Sequence, residues 1–154
     1  MNPTWVMAFP DGYETGTFLA LDMGGTNLRV CKVTLTDKKS DFSIIQSKYR
    51  IPEELKSGEA DALWDFSADC VGKFLEVHHK EPIKKSLPLG FTFSYPATQH
   101  YINNGILQRW TKGFDVSGVE GHDVVPQFEA ALERRVSLGS TPECVSRSPE
   151  TNPV

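Results

Sequence analysis

Residues 17–35 read TFLALDMGGTNLRVCKVTL, and this stretch decides the fold. The run 17–21 is short and apolar and ends at Asp22, and a second run rich in β-forming residues spans 28–35. Two glycines stand between the runs, and paired glycines allow the tight backbone of a hairpin turn. The pattern therefore predicts a strand, a tight turn and a second strand.

Working outward, four further elements are predicted: a weaker strand over 42–51, an amphipathic helix over 62–80, a buried strand over 87–95 and a second helix over 123–135. Asp61 is expected to cap the first helix and Asp123 the second. The apolar stripe of the first helix is expected at Leu63, Phe66, Cys70, Phe74 and Val77. Residues 97–121 are rich in turn formers and predict a long connection of the kind that often carries function.

The composition limits the classes of function. The chain has 154 residues and a net charge of −4, and its basic residues fall in scattered pairs, which argues against a nucleic-acid binder. No apolar run is long enough to span a membrane and no signal peptide is visible, so a cytoplasmic protein is expected. The three cysteines are widely spaced and are expected to be free thiols.

Three segments are distinguished along the chain. Residues 1–16 are rich in Pro, Gly and Asp and predict an irregular arm. Residues 17–135 predict the folded domain. Residues 136–154 hold four serines, three prolines and no aromatic residue, so the apolar surface is too small to offset the entropy of ordering and this tail is predicted to be disordered.

The turn between the first two strands has the chemistry of a phosphate site. Its glycines let a backbone approach an anion, Thr26 and Asn27 add hydrogen-bond donors, and Asp22 offers a hard oxygen to Mg²⁺ or to its water shell. The turn is not a Walker A loop, because no Gly-Lys-Ser/Thr follows, and it is not a Rossmann turn, because a strand follows it. A purely structural Gly-Gly hairpin with a chance aspartate stays open as the alternative at this point.

A longer pattern follows. LGFTFSYP at 89–96 is followed after five residues by Ile102-Asn103, after three more by Leu107, and after two more by WTKGF at 110–114. This resembles the sugar-binding signature of the hexokinase family, and 21–30 (LDMGGTNLRV) resembles the family's first phosphate motif. The resemblance covers residues 3 to about 135 and is nearest to the fungal members.

The resemblance implies an α/β fold, the small domain of an actin-like (ribonuclease H-like) ATPase with a mixed sheet flanked by helices. It implies that hexokinase activity, ATP-dependent phosphorylation of glucose or a similar hexose at the 6-hydroxyl, is the family's reaction, with ATP and Mg²⁺ as cofactors. The implied sugar contacts are Ser94, Tyr95, Thr111 and Lys112. The implied phosphate contacts are Asp22, Gly24, Gly25, Thr26, Asn27 and Arg29. Lys112 would also act on the transferred phosphoryl, and Asp22 would hold Mg²⁺ through water.

The chain also departs from the family. In hexokinases a strand with an Asn-Asp-Thr motif, which carries the catalytic base, follows the second helix, whereas here the Ser/Pro tail follows residue 135. The chain therefore resembles an N-terminal small-domain piece with a divergent terminus and is expected to be inactive alone. A non-catalytic sugar-binding module, or a partner of intact hexokinase, is the alternative. Taken singly, Ser94 could simply end a strand and Lys112 could be a solvated turn lysine.

Overall fold

The predicted hairpin is the centre of a mixed sheet in the computed structural model of the chain, which describes residues 9–38, 41–79, 87–136 and 143–144. The strands are β1 (Gly16–Met23), β2 (Asn27–Leu35), β3 (Phe42–Arg50), β4 (Pro88–Phe93), β5 (Ala97–Thr98), β6 (Ile106–Leu107) and β7 (Glu143–Cys144). Two helices, α1 (Ala60–His78) and α2 (Val124–Arg135), and a short 3₁₀ helix over Glu53–Lys56 complete the described elements. The α/β class with a mixed sheet is confirmed.

The sheet has the strand order β3-β2-β1-β4-β7. Strands β1, β2 and β3 form an antiparallel meander, and β4 and then β7 add in parallel on the other side of β1. The turn between β1 and β2 therefore lies at the same edge of the sheet as the end of β4. This topology brings the two motifs of the sequence together.

The core lies on one face of the sheet. In β1 the side chains of Leu19, Leu21 and Met23 are buried, and the residues between them are more exposed. Strand β4 follows the same alternation, since Leu89 is buried while Gly90 and Thr92 are exposed. The prediction of a fully buried β4 is therefore wrong, because among the described residues the helical layer and the core cover a single face of this strand.

The start of α1 differs from the prediction. The helix begins at Ala60, so Asp61 lies inside the first turn, and the capping residue is Glu59, whose side chain makes no capping hydrogen bond. The Ala60 N–H donates instead to the backbone carbonyl of Ser117 at 3.1 Å. Asp61 as N-cap is therefore wrong, because a distant backbone segment takes over the role that a side chain was expected to play.

The apolar stripe of α1 is mostly as predicted. Leu63, Cys70 and Phe74 are buried and Phe66 is partly buried against the core, but Val77 is 62% exposed. Val77 lies in the last turn and borders an open pocket at the rim of the sheet, where nothing described covers it. The buried face is completed by residues between the stripe positions: Trp64, Ser67, Ala68, Val71 and Leu75.

Helix α2 is capped as predicted. Asp123 accepts a hydrogen bond from the Val125 N–H at 3.1 Å, and it also accepts from the Gly105 N–H at 3.0 Å and from the Asn104 side-chain amide at 2.7 Å. The Asp123 carboxylate thus bonds both to residues 104–105 of the long connection and to the first turn of the helix. The arginines at the other end of α2 pair with α1, and the bonds from Arg135 hold the pKa of Asp69 below its usual range.

Replacing Asp123 by alanine is expected to lower the free energy of unfolding by about 2 kcal/mol, because a cap is lost and the Gly105 and Asn104 donors lose their acceptor. Urea unfolding followed by circular dichroism measures this. Glu76→Ala, which removes an exposed carboxylate from α1, should change the same quantity by less than about 0.5 kcal/mol. Equal effects of the two substitutions would contradict the capping role.

The described part of the tail includes a short strand, β7. Glu143–Cys144 form β7 and pair in parallel with Pro88 and Leu89, while the disorder of the tail stays a prediction. Their backbone bonds to a sheet edge, which does not require the apolar composition that the tail lacks. Residues 137–142 and 145–154 lie outside the described part, as do residues 1–8 of the predicted arm. Arm residues 9–15 contain neither helix nor strand.

The remaining expectations concern free thiols, metal ligands and membrane spans. Cys31 and Cys70 are free thiols, and burial raises the pKa of Cys70 to about 11. The side chain of Cys144 lies outside the described part. No group of three or more His, Cys, Asp or Glu side chains that could hold a metal ion occurs among the described residues. No described helix is long and apolar enough to cross a membrane.

Candidate active site

The turn after β1 is held by backbone hydrogen bonds on both sides. The Gly24 N–H donates to the carbonyl of Asn27 at 3.0 Å, and the Ile51 N–H, just beyond β3, donates to the carbonyl of Thr26 at 2.9 Å. The turn is therefore preset by the sheet rather than by a ligand. Its glycine backbone can admit an anion at close range.

An exposed ion pair lies on the strands that lead into the turn. Asp22 stands opposite Arg29 of β2 and beside Thr92 of β4. The Arg29 Nη1 donates to the Asp22 Oδ2 at 3.1 Å, and the two side chains keep 52% and 39% of their surface exposed. A pair this exposed contributes little to stability. Because both side chains are exposed, both charges remain accessible to a ligand.

Tyr95 joins the second motif to the turn. Its hydroxyl donates to the carbonyl of Gly24 at 2.8 Å, and the Ser94 N–H donates to the carbonyl of Met23 at 3.3 Å. The Tyr95 ring is buried, and burial raises its pKa, so the phenol keeps the proton that it donates. The side chain of Tyr95 is thus used inside the protein, where its hydroxyl links the second motif to the glycine turn.

Lys112 lies across the glycine turn. A Cβ built on Gly25 would stand 2.9 Å from the Lys112 Cβ, so glycine is required there by the approach of this side chain. The Lys112 Nζ donates to the carbonyl of Ser94 at 2.5 Å and lies 5.0 Å from the centre of the Tyr95 ring. Among the described non-glycine residues Lys112 alone has a positive φ, 58°. Such backbone strain clusters at functional sites.

An aromatic group supports the loop that carries Thr111 and Lys112. Trp110 and Phe114 stack with their ring centres 5.2 Å apart, and Tyr95 meets both of them edge to face. The Trp110 Nε1 donates to the Val116 carbonyl at 2.9 Å, and the Trp110 N–H donates to Glu120 at 2.5 Å. The role of Glu120 was missed at the sequence level, because no local pattern shows that its carboxylate folds back onto the loop.

The predicted site residues fall into two groups, those that take part in the contacts between the glycine turn and the 111–114 loop and those that do not. Hydrogen bonds or van der Waals contacts join Gly24, Gly25, Ser94, Tyr95 and Lys112. The others lie on the adjoining backbone: Asp22, Thr26, Asn27, Arg29 and Thr111. The five residues in contact therefore connect the glycine turn to the 111–114 loop.

A cavity of about 340 Å³ adjoins these residues. It is bounded by the helix-facing side of β4, by the 97–105 connection and by the start of α2. Ser94, Thr111 and Lys112 do not line it. Ser94 and Lys112 are exposed outside this cavity, and Thr111 is half-buried.

The sheet combines an antiparallel meander with a parallel strand and has a glycine turn after its first strand, as expected for the small domain of an actin-like ATPase. The hexokinase family model matches residues 1–142, so the chain belongs to the hexokinase family. The match includes both motifs and both helices.

Individual relatives of this chain are also hexokinases. The chain is 67% identical over 135 residues to the hexokinase of Emericella nidulans, covering 88% of this chain and 28% of that protein. It is 47% identical over 136 residues to human hexokinase-2, covering 88% of this chain and 15% of that protein. Among solved structures, the hexokinase of Schistosoma mansoni complexed with glucose matches with a TM-score of 0.80 and 41% identity, over 95% of this chain and 32% of that one. The chain thus spans little more than a quarter of the fungal relative.

Proposed function

We propose that this chain provides one half of a hexokinase active site, for ATP-dependent phosphorylation of glucose or a similar hexose at its 6-hydroxyl. The observation that carries the proposal is the contact between Gly25 and Lys112. It joins the phosphate turn to the sugar-binding loop. Membership of the hexokinase family and the likeness to a glucose-bound relative support the same assignment.

The side chains proposed for the hexose are suited to it. Ser94 and Thr111 carry hydroxyls, and Lys112 carries an ammonium with three donors, of which one is directed at the Ser94 carbonyl. Donors of this kind select a substrate because a ligand that lacks the matching hydroxyl leaves them unpaired. Lys112 would also stabilise the negative charge that spreads over the transferred phosphoryl.

The turn and the ion pair are proposed for MgATP. The residues suit the group because the Asp22 carboxylate is a hard oxygen ligand and is accessible, and because the turn offers a glycine backbone to the phosphates. The implied contacts are Asp22, Gly24, Gly25, Thr26, Asn27 and Arg29. When bound, Mg²⁺ neutralises phosphate charge. Since Asp22 already pairs with Arg29, we propose that Asp22 holds the ion through a water molecule.

Glucose is expected to bind the 154-residue chain with a dissociation constant of about 1 mM or weaker, because a few exposed hydrogen bonds are set against the cost of immobilising the ligand. Titration followed by amide chemical shifts should move the signals of Ser94, Thr111 and Lys112 first. Lys112→Ala should remove this response. Lys73→Ala, which removes an exposed ammonium from α1, should leave it unchanged.

Two results would contradict the proposal. Shifts that avoid the 94–95 and 111–113 backbone would place the sugar elsewhere. Micromolar affinity that depends on Lys112 would make the chain a self-sufficient sugar receptor, which is the non-catalytic alternative.

A further inference from the structure

Lys56 is a lysine that the fold nearly buries. The whole residue is 9% exposed, and its Nζ pairs with the Glu53 Oε1 at 2.8 Å. Lysine is almost never buried unless its charge is compensated, because removing an ammonium from water is costly. Glu53 itself is largely exposed, with 69% of its side-chain surface accessible. The ammonium of Lys56 is therefore paired on one side with a carboxylate that water still reaches.

On the other side of the ammonium lies the ring of Phe114. The Lys56 Nζ is 5.7 Å from the ring centre, within the range of a cation–π contact. The backbone carbonyl of Lys56 also accepts a hydrogen bond from the Asp115 N–H at 2.6 Å. One residue of the 3₁₀ helix thus holds two consecutive residues of the loop, one through its side chain and one through its backbone.

The loop needs such external support. Residues 111–114 form a tight turn closed by a hydrogen bond from the Phe114 N–H to the Thr111 carbonyl at 3.2 Å. Lys112 and Gly113, the two residues inside the turn, have φ values of 58° and 80°. A left-handed conformation is unfavourable for a lysine, so contacts that fix the ends of the turn favour this conformation.

We propose that Lys56 is a positioning residue for the turn 111–114, acting through the ring of Phe114. The ammonium fixes the ring, the ring is stacked on Trp110 at the other end of the turn, and Thr111 and Lys112 are presented between them. Lys56 itself has no proposed contact with a ligand. The ligand that the turn would receive, a hexose, rests on the proposed function, but the positioning role is testable without it.

The first test measures the turn alone, by amide hydrogen exchange in the 154-residue chain. Lys56→Ala is expected to speed exchange at the Phe114 N–H at least tenfold while leaving the Val71 N–H, inside α1, unchanged. Lys56→Arg keeps a cation over the ring and should restore slow exchange. The matched control Lys73→Ala should alter neither amide.

The second test uses glucose as the probe and the amide shifts of Thr111 and Lys112 as the readout. Lys56→Ala should raise the half-saturating glucose concentration about tenfold, and Lys56→Arg should return it to the value of the original chain. Phe114→Leu, which removes the ring but leaves the lysine, should reproduce the change. Adding Lys56→Ala to Phe114→Leu should then have no further effect.

The outcomes separate the two proposals. If the original chain shows no glucose-induced shift at these amides even at glucose concentrations far above about 1 mM, the proposed function fails, while the exchange test still decides the role of Lys56. If Lys56→Ala leaves exchange at Phe114 unchanged, or speeds exchange at Val71 to the same extent, Lys56 does not position the turn and the inference is overturned. The same holds if the single and double variants with Phe114→Leu differ.

Discussion

Lys112→Ala is expected to lower kcat/KM for glucose by about 10²–10³ in a chimera in which the 135 matching residues of this chain replace the corresponding segment of the Emericella nidulans hexokinase. The segment is 67% identical, so the chimera should fold and phosphorylate glucose. The loss follows from removing a preorganised charge that would face both the sugar and the transferred phosphoryl. Steady-state kinetics at saturating ATP measures it.

The control for this experiment is Lys73→Ala in the same chimera. It removes one positive charge from an exposed helix surface and should leave kcat/KM within about twofold. An active chimera that tolerates Lys112→Ala would show that the lysine is only a turn residue. The position of the ammonium, between the Ser94 carbonyl and the Tyr95 ring, would then be structural.

Trp64→Ala is expected to remove about 3–5 kcal/mol from the free energy of unfolding of the 154-residue chain. Trp64 is fully buried in α1, and its ring contacts Phe91 and Phe128 from the sheet and from α2. Its Nε1 also donates to the Gln127 side chain at 2.8 Å. Since small domains are stable by only about 5–15 kcal/mol, this loss is a large part of the total, and the midpoint urea concentration of unfolding should fall markedly.

Trp64→Phe is the matched variant for this prediction. It keeps most of the buried ring and loses the bond to Gln127, so it should cost about 1–2 kcal/mol. Urea unfolding with far-UV circular dichroism distinguishes the two. If both substitutions lowered stability equally, the hydrogen bond would dominate and the packing explanation would be wrong.

Elements whose causes are local could be predicted from the sequence. The hairpin of β1 and β2 follows from alternating β-formers around two glycines, and the cap of α2 follows from Asp123 at the start of an apolar period. The start of α1 could not be predicted, because its first N–H is satisfied by Ser117, more than fifty residues away. The prediction that β4 is buried was wrong for a similar reason, because the burial of a strand depends on which face of the sheet the helices cover.

In the candidate site, too, local features could be predicted and long-range contacts could not. Its motifs were visible as sequence patterns, and the family resemblance is confirmed by the match over residues 1–142. Their relation was not visible, because Tyr95 and Gly24 are 71 residues apart and meet only through the parallel pairing of β1 with β4. The buried contact of Lys56 with Phe114 was also missed, since a lysine followed by Ser-Gly is usually a solvated turn.

The absence of a side chain at Gly25 has a consequence for how this domain can change. The aliphatic stem of Lys112 occupies the space where a Cβ at position 25 would lie. Grafting another nucleotide-binding loop in place of the glycine turn would therefore not be enough by itself. A replacement with any side chain at position 25 would need a compensating change at position 112, so the two motifs are expected to be inherited, and to be engineered, as a pair.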